Sequence, residues 1–133
     1  MRKILTYLAT DGAFLYAELG AVIVNSEYIE MFGGMGSITL RSDPIDIKLD
    51  LDRDIIFPDV RAVGRKEWFS FDLISELLTG VVSNSADMES NEQFFRENFS
   101  HLKSKFSALE VDATERHCNK LKQNRLNRRF PKR

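Results

Sequence analysis

The most regular stretch of the chain is Ile45-Asp46-Ile47-Lys48-Leu49-Asp50-Leu51-Asp52. Its strict alternation predicts a β-strand with Ile45, Ile47, Leu49 and Leu51 on one face and Asp46, Lys48, Asp50 and Asp52 on the other. Arg53-Asp54 predicts a tight reversal into Ile55-Ile56-Phe57, giving an antiparallel hairpin. Pro58 has no N–H to give to a ladder, so the second strand is expected at an edge or to end there. Upstream, Val22-Ile23-Val24, Tyr28–Phe32 and Ser37–Arg41 read as further short strands, with Gly33-Gly34-Met35-Gly36 as a flexible turn.

Helical spacing flanks this region on both sides. Ile4, Leu5, Leu8, Leu15 and Leu19 recur at near-helical intervals, interrupted at Asp11-Gly12 and stopped at Gly20, which predicts a kinked helix or two short ones. Ser70 or Asp72 caps a helix over Phe71–Thr79 that Gly80 closes. Residues 81–92 are polar enough to read as a loop. Phe95, Phe99, Leu102, Phe106 and Leu109, at spacings of 4, 3, 4 and 3, form the stripe of a helix lying on a core. A last helix is expected from Asp112 or Thr114 to about Leu126. The order predicts an α+β fold: an N-terminal helix, a four- to five-stranded antiparallel sheet and C-terminal helices.

At 133 residues and 43% hydrophobic, the chain is expected to fold as one domain, residues 1–133. The net charge of −1 conceals a division. All 20 acidic residues and 11 of the basic ones lie in residues 1–115, whereas residues 116–133 hold eight basic residues and no acid. An acidic body thus carries a basic C-terminal helix or tail. With one cysteine, no apolar run of spanning length and no signal-like leader, a cytoplasmic protein is expected.

Candidate chemistry concentrates in one place. Asp43, Asp46, Asp50, Asp52, Asp54 and Asp59 fall close together in sequence, offset only by Lys48 and Arg53. Such a ladder solubilises a sheet face and guards it against stray pairing. It also suits docking of a basic partner, because clustered carboxylates steer and pair with Arg and Lys. Asp50-Leu51-Asp52-Arg53-Asp54 begins like an EF-hand loop, but Ile55 stands where the turn needs glycine and Arg61 where a bidentate glutamate is needed. Asp46-Ile47-Lys48 has the carboxylate-x-lysine spacing of a class of magnesium-dependent nucleases, so a metal ion at Asp46 with Lys48 beside it is the enzymatic alternative.

Elsewhere the signals are thin. His101, His117 and Cys118 are too few for a structural zinc site, and the adjacent His117 and Cys118 diverge by roughly 100° on a helix. No cofactor, no metal and no catalytic residue is expected, and no membrane partner. The basic tail has three readings: it folds back on the acidic body, extends into solvent, or serves as a nucleic-acid-binding adaptor, which the acidity of the body opposes. Trp68-Phe69 reads as core at a strand–helix junction, or as a binding hot spot if Trp68 is exposed.

The run Thr10–Leu19, followed by Asn25–Gly33, Ile45–Asp59 and Glu67-Trp68-Phe69, resembles small immunity proteins encoded beside bacterial polymorphic toxins, including those of contact-dependent growth inhibition. The likeness is one of segment order over residues 4–79 and, more loosely, Phe94–Phe106. It implies a stoichiometric cytoplasmic inhibitor that blocks a cognate toxin domain, often a nuclease. A nuclease needs a cationic groove, so the resemblance implies that Asp43, Asp46, Asp50, Asp52, Asp54 and Asp59 bind the partner. The basic tail departs from that picture, since it does not suit a phosphate mimic.

Overall fold

The computed structural model describes residues 1–29, 35–83 and 85–130. Five strands form one sheet in the order β1 (Val22–Ile29), β2 (Met35–Ser42), β3 (Ile45–Asp52), β4 (Ile55–Ala62) and β5 (Phe69–Ser70), each antiparallel to its neighbour. Helices α1 (Arg2–Ala9) and α2 (Phe14–Ala17), joined by a 3₁₀ turn at Asp11–Ala13, precede the sheet. Helices α3 (Phe71–Thr79), α4 (Met88–Lys105) and α5 (Val111–Arg129) follow it. The fold is α+β, and among the described residues no helix is long and apolar enough to cross a membrane.

Alternation in β3 sets the layering. Ile45, Ile47 and Leu49 are fully buried and Leu51 nearly so, in a core with Leu40, Val60, Phe69, Phe71, Phe95 and Leu102. Each such side chain taken from water contributes roughly 1.5–3 kcal/mol, so the pattern fixes which face the helices cover. Arg53 and Asp54 have φ of 51° and 65°, the left-handed pair that a two-residue type I′ turn needs. Gly80, at φ 75°, ends α3 as expected.

Several boundaries differ from the sequence reading. Val22 to Ile29 is one strand, not two: Ile23 and Asn25 pair with successive residues of β2, leaving Val24 as an extra residue in a bulge. Of the expected strand Tyr28–Phe32, residues 30–32 lie outside the described residues, as do Gly33 and Gly34 of the expected turn. Met35 and Gly36 belong to β2, opposite Ile29 and Tyr28. The strand does not stop at Pro58; β4 continues to Ala62, and β5 pairs with it only at Asp59 and Val60. Pro58 thus lies where β4 has no partner on its outer side.

Helix α4 begins at Met88, inside the segment read as a loop, because the Asp87 carboxylate accepts the Ser90 amide (3.0 Å) and caps it. Leu109 falls beyond α4 and is almost wholly exposed, so it does not continue the phenylalanine stripe.

Candidate functional site

Register assigns the outward side chains of the sheet to rows, since directly opposed residues share a face. The first row is Arg41, Asp46, Arg61 and the second is Asn25, Thr39, Lys48, Asp59, Ser70. The third is Glu27, Ser37, Asp50, Phe57. In the fourth, Asp52 pairs with Ile55, beside the turn that holds Asp54.

At the first row the charges cancel. Asp46 is fully buried. Its Oδ1 accepts Arg41 Nε at 2.7 Å, and its Oδ2 accepts Arg41 Nη2 at 3.3 Å and Arg61 Nε at 3.1 Å. The expectation that Asp46 faces outward to meet a partner is therefore corrected. Two cross-strand arginines enclose it, and both carboxylate oxygens are occupied. The same contacts already engage both oxygens of the carboxylate that the magnesium-dependent reading would use as a metal ligand. Lys48, the other half of that nuclease reading, lies with its Nζ 4.5 Å from the centre of the Trp68 ring. Arg61 Cζ is 4.2 Å from the same ring. Trp68 is thus half-buried and clasped by two cations on the outer face, while Phe69 alone enters the core. Asp43 is exposed in the turn beside this row, away from the acidic end.

The third and fourth rows are different. Asp50 has Ser37 and Phe57 as direct neighbours, neither of them cationic. Asp59 lies diagonally across from it, one row away on β4. Burial, then Asp59 and the charge of Glu27, push its pKa up to about 7, against the opposing pull of Lys48. Lys48 Nζ is 3.9 Å from Asp50. Among the described residues, that is the only ion pair made by Glu27, Asp50, Asp52, Asp54 or Asp59. Asp52 and Asp54 are exposed. Glu27, which lies outside the six aspartates read from the sequence as a docking set, reaches this group because β1 pairs through it to Ser37. Glu27, Ser37, Asp50, Asp52, Phe57 and Met35 border a cavity of about 330 Å³.

The basic C-terminal segment turns back on the body without touching this face. Arg125 bonds Asp72 (2.7 Å) and Glu76 (2.8 Å), Arg128 approaches Glu76 at 3.7 Å, and Lys122 bonds Glu67 at 3.3 Å. These three cations go to α3 and to the segment before β5, and among the described residues no cation of this segment forms an ion pair with the six aspartates. Cys118 is buried in α5, and burial pushes its thiol up to about 12, which makes it unreactive. Among the described residues no group of three or more His, Cys, Asp or Glu is arranged to hold a metal ion.

Compared with protein-family models, with curated proteins and with solved structures, the chain matches none.

Proposed function

We propose that this chain is a cytoplasmic binding protein that covers a cationic surface of a protein partner with the acidic end of its outer sheet face, and performs no chemistry itself. The observation that carries the reading is the imbalance at that end. Glu27, Asp50, Asp52, Asp54 and Asp59 gather around the β3–β4 hairpin, and their one ion pair among the described residues is a long contact from Lys48. Holding carboxylates partly buried and close together costs folding free energy, most visibly at Asp50, whose ionisation is opposed by burial first and then by Asp59 and Glu27. A cationic partner offsets that cost on binding and is steered toward the site at the same time.

The resemblance to immunity proteins makes the partner a toxin domain, and a nuclease groove supplies the positive charge the surface calls for. The docking set is then Asp50, Asp52, Asp54 and Asp59 with Glu27 added. Asp46 is withdrawn into its arginine clamp, and Asp43 stands at the wrong end.

The test is to purify this chain and the product of the reading frame immediately upstream of its gene, and to measure complex formation and nuclease activity on plasmid and tRNA. A one-to-one complex that abolishes cleavage is expected. Absence of both binding and neutralisation contradicts the proposal, as does magnesium-dependent cleavage by this chain alone that Asp46→Ala removes.

A further inference from the structure

The sheet blunts one of its edges and leaves the other open. At the blunt edge β5 is two residues long, and Pro58 in β4 has no N–H to offer, so little ladder is free for another chain. At the open edge β1 runs eight residues and pairs with β2 alone. Among the described residues its outer N–H and C=O groups meet no backbone partner. A bulge at Val24 interrupts it once, but β1 has no lysine or proline to guard it, and Glu27 is its one charge. Its core-facing side is uncovered too. Ile23 lies opposite the buried Leu40 and Tyr28 opposite Gly36, yet they are 58% and 56% exposed. Such an edge is a template for one more strand.

The strand that matches it is β1 itself. Laid antiparallel against a second copy about a two-fold axis at Ser26, with Val24 as the extra residue on both sides, β1 sets like chemistry against like. Ser26 meets Ser26. Asn25 meets Glu27 of the other copy, so the only charge faces an amide and not its own kind; that amide already donates to Glu27 within the chain, at 3.4 Å. Ile23 meets Tyr28 of the other copy on the core-facing side, and each covers apolar surface that the helices leave bare. A strand from a cationic partner would find a single carboxylate here.

We propose that this chain forms a symmetric dimer through antiparallel β1–β1 pairing centred on Ser26, which joins two five-stranded sheets into one. The blunt edge at β5 stops further growth, so the assembly closes at two copies. Asp50, Asp52 and Asp54 lie on β3 and its turn, two strands from the junction, and both acidic ends stay open. Dimer formation is therefore independent of docking a cationic partner.

Sedimentation velocity of the full chain between about 1 and 300 μM tests this. The wild type should move from 15.3 kDa to twice that mass, with no larger species. Ser26 is exposed, so Ser26→Lys and Ser26→Glu are expected to keep the wild-type urea midpoint. Each alone sets like charges face to face at the axis and should raise the dimer dissociation constant at least tenfold, whereas an equimolar mixture of the two should return to within threefold of wild type. In the unmodified chain, hydrogen exchange at β1 amides should slow as concentration rises while exchange in β4 and β5 stays constant. A monomer throughout, a dimer indifferent to the charges at Ser26, no recovery in the mixture of folded variants, β1 exchange independent of concentration, or growth beyond two copies each overturns the proposal. So does protection of β1 only in complex with the upstream-encoded protein, which would give the edge to a strand of that partner.

Discussion

The two ends of one sheet face carry the same residue type on the same strand, and the structure treats them oppositely. Asp46 and Asp50 are separated by four residues of an unbroken alternation, yet one is sealed between two arginines and the other sits among carboxylates with its ionisation opposed. The strand does not decide this. Its neighbours do: Asp46 faces Arg41 and Arg61, while Asp50 faces Ser37 and Phe57. Charge pairing is complete where the face stabilises the fold and withheld where we propose that it meets a partner.

The largest test of that contrast is Asp46→Ala. It leaves two arginines without their shared acceptor, and breaking such a buried set costs about 3 kcal/mol, at the lower end of the usual range because both arginines are partly exposed. A urea midpoint unchanged within error would show that the clamp contributes nothing to stability. Next in size is Trp68→Ala, which removes the ring between Lys48 and Arg61 and is expected to destabilise by roughly 2 kcal/mol in the same assay.

At the acidic end the sign reverses. The folded pKa of Asp50 lies above its ordinary value, so the folded state holds a proton that the unfolded chain releases, and Asp50 costs stability increasingly as pH rises from about 4 to about 7. Asp50→Asn removes that cost. It should match wild type near pH 4 and exceed it by about 1 kcal/mol at pH 8, well below the full linkage value because the side chain is 36% exposed. Denaturation curves at the two pH values check this, and a variant less stable at pH 8 would place Asp50 with Asp46. Smallest is Asp52→Asn, exposed and without an ion pair, which should shift the midpoint by less than about 0.5 kcal/mol.

Much of the fold was legible because it rests on period. The inward isoleucines and leucines of β3, the Arg53-Asp54 reversal, the helix Phe71–Thr79 with its closing Gly80, and the buried face of Phe95, Phe99, Leu102 and Phe106 follow from local spacing and turn chemistry. The site was half legible. Equal steps outward from Asp43-Pro44 bring Arg41 opposite Asp46, and equal steps from Arg53-Asp54 bring Arg61 there too. The Arg53-Asp54 reversal was read and the Asp43-Pro44 turn was not, although Asp-Pro between two strands carries turn chemistry, so the enclosure of Asp46 could have been read by carrying register across strands instead of along one. Glu27 was harder, because the bulge at Val24 and the polar Asn25-Ser26 break the alternation that would mark β1 as one strand. The fate of the basic segment was not legible, since Arg125 meets Asp72 and Glu76 only through the packing of α5 on α3.

The most direct measurement is the association rate of the upstream-encoded partner with wild-type chain, with Glu27→Gln/Asp50→Asn/Asp52→Asn and with Asp43→Asn, followed by stopped flow between 50 and 300 mM salt. If the acidic end docks the partner, the rate falls steeply with salt for wild type and Asp43→Asn, and is at least tenfold slower and less dependent on salt for the triple variant. Equal rates and equal salt slopes for all three would contradict it.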